Sequence, residues 1–328
     1  MNILVLTDHK SHTANNSFYL IVNSLQDHPQ VEKVFVCSRS DAFNNSFFNG
    51  EKVKLKVKAL DDYIDFESFD KWIAQDNVEV TSFDAFDFIL LRLPRPIAPG
   101  FFNLLKEQFD EKKIVNRPSG IEKTGSKAYL VNFNEYCAPL AIVQSIEEII
   151  EFKERYGTVL KPLEEYGGKG IIRIDQQVVY LGNDVQISFK EFAASYKESP
   201  TTYLAMKYLK NVSKGDKRIV VANGEILTSS TRYPAEGSWL CNVAQGGSAE
   251  LSQPTEREVE IVEHITPILK KEGIFLYGLD TLQNDEGIRV ISEINTLSVG
   301  GIAPAESMSS DNLGKRYADL FVNFVKSI

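Results

Sequence analysis

Histidine, cysteine, methionine and tryptophan are all scarce in this 328-residue chain, which carries four, three, three and two of them. The cysteines, Cys37, Cys137 and Cys241, lie far apart and form no CxxC spacing. That argues against a disulfide framework or a zinc knuckle and fits a reducing cytoplasm. The histidines, His9, His12, His28 and His264, stand in no pattern that suggests a catalytic triad. Positive charge is in deficit, with 36 Lys and Arg against 45 Asp and Glu, a net charge of −9 and a pI near 5.2. A protein that grips a nucleic-acid backbone needs the opposite balance, so nucleic acid is not an expected partner and any anion site must be local. No run approaches the ~20 apolar residues of a membrane span. The opening MNILVLTDHK reads as a strand followed by polar residues rather than a basic leader. Repeats and low-complexity tracts are also missing. The expectation is a soluble cytoplasmic protein without membrane contact.

What is present is an ordinary 43% of hydrophobic residues over a length that suits two or three modest domains. NILVLTD, SFYLIVNSLQ and VEKVFVCS read in turn as strand, helix and strand, the start of an open α/β sheet. DFILLRLP adds a buried strand, FFNLLKEQF a helix and KIVNRP a further strand, closing a first domain over residues 1–120. IEKTGSKAYLVNF is helix-like, and TVLKPL, GIIRID and VVYLG are short strands punctuated by glycines, a small α+β unit over 121–204. A third unit, 205–328, holds a hairpin around Asn223-Gly224 and a long amphipathic helix, TEREVEIVEHITPILKKEG, that Gly273 should end. The Gly-rich, small and polar stretch from Glu236 to Ser248 reads as a loop.

Three segments suggest chemistry. In GLDTLQNDEGIRVISEIN, Asp280 ends one apolar run, while Glu293 and Asn295 lie on the next beyond the turn-like QNDEG. Strand side chains alternate, so Glu293 and Asn295 share a face, and Asp280 lies nearly opposite across the hairpin. Two carboxylates and an amide oxygen suit Mg²⁺ with positions left for phosphate oxygens, although a solvated acidic turn looks the same. In LKPLEEYGGKG, Lys161 precedes a turn with Gly167, Gly168 and Gly170, whose backbone N–H groups are suited to phosphate oxygens. It is neither a Walker A nor a GxGxxG sequence, and a plain turn remains an alternative. Lys127 offers a second cation, and Asp216, Lys217 and Arg218 a third polar cluster, unless both are solvated surface charge.

Taken in order, Lys127, Lys161 with its glycine turn, TYLAMKYL, GDKRIVVANGE, GLD and EIN resemble the ATP-grasp superfamily over roughly the last two-thirds of the chain. Within it, VNRP, LKPLEEYGGKGIIRI, KNVSKGDKRIVVANGE, TRYP and NVAQGG resemble bacterial glutathione synthetase. The resemblance implies an N-terminal open α/β domain followed by two α+β domains that sandwich ATP. It casts Lys127, Lys161, Gly167, Gly168 and Gly170 as phosphate ligands. Met206, Lys207, Tyr208 and Leu209 become the adenine hinge, with Asp216 also on the nucleotide side. Asp280, Glu293 and Asn295 become the ligands of Mg²⁺, with Mn²⁺ as an alternative, and Arg218 and Arg232 the catalytic cations. NNSF and ILLR resemble the γ-glutamyl region, so Ser17 and Arg92 are substrate candidates together with Asn242, Gly300 and Gly301. Tyr233 to Ser248 matches a lid.

The implied reaction activates a carboxylate as an acyl phosphate and couples it to an amine, as in joining γ-glutamylcysteine to glycine, in a homodimer or tetramer. Three departures bear on the substrate. Leu240, between Trp239 and Cys241, replaces a lid arginine. Pro94, followed by Arg95, replaces an acidic residue. TLSVGGIAP after Asn295 differs from the family pattern. A ligase for another amino acid or peptide and a noncatalytic ATP-binding regulator are the alternatives.

Overall fold

The computed structural model describes residues 1–75, 78–80, 82–165, 167–182, 185–234 and 247–328. The first third alternates strands and helices in the order β1 (Asn2–Thr7), α1 (Ser17–Gln26), β2 (Lys33–Ser38), α2 (Asn45–Phe48), β3 (Leu55–Ala59), α3 (Phe66–Ile73), β4 (Val78–Val80), β5 (Phe88–Arg92), α4 (Phe101–Gln108), β6 (Ile114–Val115) and α5 (Pro118–Thr124). β2, β1, β5 and β6 run parallel, and β3 and β4 extend the β2 side antiparallel, in the order β4-β3-β2-β1-β5-β6. β1 lies at the point where the order reverses. The carboxyl ends of β1 and β5 there, at Thr7 and Arg92, are buried.

A 3₁₀ segment (Lys127–Tyr136) then leads into β7 (Leu140–Val143), α6 (Ile146–Arg155), β8 (Thr158–Pro162), β9 (Ile172–Asp175), β10 (Val178–Leu181), β11 (Val185–Ser188), α7 (Phe189–Glu198) and β12 (Tyr203–Lys207). The strands form an antiparallel sheet ordered β11-β10-β9-β8-β12-β7. Ser145 and Ser188 start α6 and α7 with capping boxes to Glu148 and Glu191, each closing the serine and glutamate on the other's backbone N–H. Both helices bury one apolar face on this sheet, giving a core of its own that includes Ile149, Phe152, Leu160, Phe192 and Ala205. β12 pairs with both β7 and β8, so the middle unit runs to Lys207, past the expected boundary at 204.

The remainder comprises β13 (Asp216–Ala222), β14 (Glu225–Tyr233), β15 (Ser248–Leu251), α8 (Glu256–Lys271), β16 (Leu276–Gln283), β17 (Arg289–Asn295), α9 (Ile302–Ser307) and α10 (Leu313–Val325), its strands ordered β15-β14-β13-β16-β17. Asn223 and Gly224 both take positive φ, 49° and 86°, as a two-residue hairpin turn requires. Gly273, at φ 78°, follows the end of α8 as expected. This sheet does not have a separate core. Leu4, Leu91 and Phe133 pack in one apolar cluster with Ile219, Ile261 and Tyr277, and Phe18 and Val34 share another with Phe275, Tyr317 and Phe321. The first and last thirds are thus one packed body that carries the middle unit. Among the described residues no helix is long and apolar enough to cross a membrane.

Asn116 locks the two sheets of that body together. Its Nδ2 donates to the carbonyls of Leu276 at 2.6 Å and Thr296 at 2.7 Å, and its Oδ1 accepts from the N–H groups of Phe275 at 2.8 Å and Leu276 at 2.9 Å. The side chain is buried with every hydrogen-bonding position filled. Asn116→Ala strands these backbone groups out of reach of water and should destabilise the fold by about 3 kcal/mol or more. The check is a fall in urea midpoint at unchanged m-value; Asn116→Asp, which turns a carboxylate toward two carbonyls, should fare no better.

Candidate active site

A row of charged side chains crosses one face of the third sheet. In register, Asp216 of β13 stands opposite Arg232 of β14, Arg218 of β13 opposite Asp280 of β16, and Asp280 opposite Glu293 of β17. Residues directly opposite in antiparallel strands point the same way, so the five side chains form one band. Arg218 grips Asp280 with two bonds, from Nε to Oδ1 and from Nη2 to Oδ2, the latter at 2.7 Å. Arg232 does the same to Asp216, at 2.8 Å from Nε and 2.5 Å from Nη2, and its Nη2 lies 3.2 Å from Asp280 Oδ2. Such fork-to-carboxylate pairs are the strongest ionic contacts a protein makes.

Burial and these partners set the acid strengths. For Asp280, burial pushes the pKa upward, but Arg218 and Arg232 together overcome it and hold the carboxyl at about 2. For Asp216 burial wins over Arg232, and its pKa is raised. Burial would lower the Arg232 pKa, yet Asp280 and Asp216 more than offset it, so the guanidinium stays charged.

Asn295 joins Asp280 and Glu293 on this face, donating from Nδ2 to Asp280 Oδ2 at 3.4 Å. The expected hairpin is therefore present, with a detail the alternation does not reveal. Thr281 pairs with Ile291 while Asp280 pairs with Glu293, so Ser292 is an extra residue, a β-bulge. Its hydroxyl donates to the Asp280 carbonyl at 3.2 Å, and its own carbonyl accepts from Lys161 Nζ at 3.0 Å. Lys161 belongs to β8, so this bond crosses from the middle sheet to the third. Burial of its ammonium lowers the Lys161 pKa, with Glu293 opposing that fall.

Lys127 comes to the same place from the connection between the first two units. It opens a 3₁₀ segment capped by Ser126, where a helix was expected to carry it. Buried at 7% exposure, its Nζ lies 3.6 Å from Glu293 Oε1 and donates to the Glu165 carbonyl beside the glycine turn. Gly167, Gly168 and Gly170 all have positive φ, 64°, 78° and 67°, which only glycine adopts freely.

Between the two sheets lies a cavity of about 340 Å³. Lys161, Gly167, Gly168, Met206, Lys207, Tyr208, Leu209, Asp216, Arg218, Arg232, Asp280, Glu293, Asn295 and Gly300 all line it. Val159, Ile171, Met206 and Leu209 make an apolar part of its lining, and the charged row makes another part. Lys207 is committed to Asp285 at 2.8 Å, leaving backbone and neighbouring rings to face that apolar part.

The residues expected on the donor side are placed differently. Ser17 is buried, and its hydroxyl accepts from the N–H groups of Ile302 at 3.1 Å and Ala303 at 3.1 Å, the first turn of α9. Gly301 takes φ 107° and starts that helix. Arg92, 3% exposed at the end of β5, donates from Nη1 to the Val299 carbonyl at 2.8 Å, while its buried Nε has no hydrogen-bond partner. Neither side chain lines the cavity; they sit behind the Ser298–Gly301 loop that does. Asn242 and the departures at Trp239, Leu240 and Cys241 lie outside the described residues, as does most of the expected lid.

The sequence gives no hint of one further group. His9 Nδ1 lies 2.6 Å from Ser38 Oγ and its Nε2 3.7 Å from Asp70 Oδ1, a Ser-His-Asp row. The Ser38 hydroxyl has no exposed surface and accepts from the backbone N–H groups of His9 and Ser40, so it fastens a turn and meets no substrate.

The comparisons with known proteins bear on what this cavity serves. The family of the prokaryotic glutathione synthetase ATP-grasp domain matches residues 126–310, which include the third sheet, the glycine turn and both lysines. The chain belongs to this family. A glutathione synthetase of Parasynechococcus marenigrum is 30% identical over 249 residues, 74% of this chain and 77% of that protein. Two solved structures share the fold at much lower identity. D-cycloserine synthetase DcsG has a TM-score of 0.65 at 10% identity, covering 99% of this chain and 100% of that one. Macrocyclase MdnC of Microcystis aeruginosa, bound with its precursor peptide MdnA, has a TM-score of 0.62 at 11% identity, covering 98% and 100%. The fold is ATP-grasp and the chain is an ATP-dependent, ADP-forming ligase. Ligases of this family use ATP and a divalent metal ion. Among the described residues no three His, Cys, Asp or Glu side chains gather as a metal site. The donor set that fits is two carboxylates and the Asn295 amide, hard oxygens beside two lysines and open to the cavity.

Behind that cavity, His12 bonds Thr7 Oγ1 at 2.9 Å and the Tyr19 hydroxyl at 3.0 Å. Burial, and next the Arg92 charge, pull its pKa from 6.5 to about 4. A base favoured in its neutral form by folding contributes stability that is complete above 6.5 and is lost as pH falls from 6.5 toward 4. Urea unfolding over that range should show the wild type losing up to ~3 kcal/mol that His12→Gln does not lose; parallel curves would reject the assignment.

Proposed function

We propose that this ligase makes an amide through an acyl phosphate, and that its reaction joins γ-glutamylcysteine to glycine, giving glutathione, ADP and phosphate. The observation that carries the reading is the charged row facing Lys161 and the glycine turn across one cavity, in a chain whose family is that of prokaryotic glutathione synthetase. A carboxylate resists attack by an amine because oxide is a poor leaving group. Transfer of the ATP γ-phosphoryl group to a carboxylate oxygen breaks the bond to ADP and forms the acyl phosphate. The amine nitrogen then attacks the acyl carbon, the carbon–oxygen bond to phosphate breaks, and the amine gives up a proton.

No protein nucleophile is needed, so the residues act by placement and charge. Lys127, Lys161 and the N–H groups of Gly167, Gly168 and Gly170 hold the phosphates, while Met206 to Leu209 hold the base against the apolar part. Arg218 and Arg232 face the phosphoryl group as it moves. Asp216 and Asp280 keep both guanidiniums in fixed orientation, so little reorganisation is required when charge shifts. Asp280, Glu293 and Asn295 would hold Mg²⁺, with Mn²⁺ as an alternative; the ion's chemistry is to neutralise the phosphate oxygens. The completeness of this set argues against a noncatalytic regulator.

A second reading, a ligase for another amino acid or peptide, is favoured by one observation. Ser17 and Arg92, expected to meet the γ-glutamyl group, are engaged with Ile302, Ala303 and Val299 behind the cavity. Among the described residues, Gly300 is the expected substrate residue that lines it. Coupled ADP release with γ-glutamylcysteine, glycine and Mg²⁺-ATP, followed by product mass, separates the readings. Glutathione should appear; turnover on a different donor and acceptor with none on this pair would sink the substrate assignment while leaving the ligase chemistry. In the same assay Glu293→Gln should cut turnover by roughly a hundredfold, the scale of losing one fixed electrostatic partner of the transition state. An unchanged rate would remove Glu293 from the metal set.

A further inference from the structure

Arg173 stands in β9 directly opposite Val159 of β8 on one side and Tyr180 of β10 on the other. It therefore shares the sheet face of Val159, which lines the apolar part of the cavity. Its guanidinium carbon lies 4.5 Å from the centroid of the Tyr180 ring and 4.6 Å from that of Tyr208. The carboxylate of Asp175, two residues along, is 3.4 Å from Nη2, and the side chain is only 20% exposed. A flat, delocalised cation packed on two ring faces at these distances is a stack that lysine cannot reproduce.

Tyr208 is the residue at which this stack meets the cavity. It follows β12, its N–H donates to the Gly157 carbonyl at 2.6 Å, and it lines the cavity with Met206 and Leu209. Arg173 itself does not line the cavity, and it lies three residues beyond Gly170 of the glycine turn. Resting on the ligase reading above, we propose that Arg173 is a positioning residue of the nucleotide site. It fixes the Tyr208 ring as a wall of the base pocket and ties that wall to the hairpin that follows the phosphate-binding turn. It acts on the base end of the nucleotide and not on the triphosphate.

The experiment is calorimetric binding of the non-hydrolysable ATP analogue AMP-PNP with Mg²⁺ to the full chain, paired with competition by inorganic tripolyphosphate. Arg173→Ala should weaken AMP-PNP about tenfold and leave tripolyphosphate within about twofold, since only the base-bearing ligand reads the wall. Arg173→Lys, which keeps the charge and loses the flat stack, should fall between. In turnover the KM for ATP should rise while kcat holds. Equal losses for both ligands would mean a general loosening of the middle unit and would overturn the proposal. So would an Arg173→Lys variant that binds AMP-PNP like the wild type, which keeps the test decisive if the alanine variant folds poorly. A wild-type chain that binds no nucleotide would instead overturn the ligase reading, and this one with it.

Discussion

The carboxylate of Asp280, 4% exposed between two guanidiniums, is the contact on which the geometry of the cavity depends. A buried charge is tolerated only when partners replace the water it has lost, and removing one partner of such a pair leaves the other uncompensated at several kcal/mol. Asp280 needs Arg218 from β13 and Arg232 from β14, and Arg232 in turn needs Asp216. A one-residue slip of any strand would turn its member to the opposite face. The register of β14, β13 and β16 is thus fixed by charge as well as by the core, and the band that results lines the cavity.

The opposite face of the same strands carries a second ionic array, which holds the first in place. Lys217 lies between Asp216 and Arg218 and points the other way, to Glu258 of α8 at 2.8 Å, with Glu258 wholly buried. Thr281, next to Asp280, donates to the same carboxylate at 2.5 Å, and Arg289 lies 3.8 Å from it. Burial pushes the Glu258 pKa up, but Lys217 and the backbone N–H of Thr255 bring it below the ordinary glutamate value. Glu258 also completes the capping box with Thr255 that starts α8. One side chain therefore starts the helix, anchors it to the sheet and fixes the strand residues on either side of the active band.

These constraints explain what was legible in the sequence. The β16–β17 hairpin is legible because alternation and a turn sequence are local, and a period of two puts Glu293 and Asn295 on one face; Asp280 joins them because the bulge at Ser292 shifts the register so that it stands opposite Glu293. The Asn223-Gly224 turn and the end of α8 at Gly273 were local in the same way. The bulge at Ser292 was not, because nothing in RVISEIN marks which residue the partner strand will skip. Lys127 was read as a helix residue since its apolar spacing is helical, yet Ser126 caps a tighter 3₁₀ segment there. The contacts of Ser17 and Arg92 are not legible for a longer-range reason. Their partners, Ile302 and Val299, lie 285 and 207 residues away, and only the packing of the first sheet on the third brings them together.

That packing also separates what the fold holds constant from what it leaves free. The charged row that lines the cavity is locked by register, burial and paired charge. The loop from Ser298 to Gly301, whose first three residues also line the cavity, is positioned indirectly. Arg92 pulls on its Val299 carbonyl from behind, and Ser17 caps the helix that leaves it. Ser298 itself takes φ 49°, a left-handed conformation unusual for a residue with a side chain. The loop is held by two buried anchors from the first third of the chain, and no residue of the charged row contributes to either. The charged row therefore depends on pairing within the third sheet, and the loop on the seam between that sheet and the first.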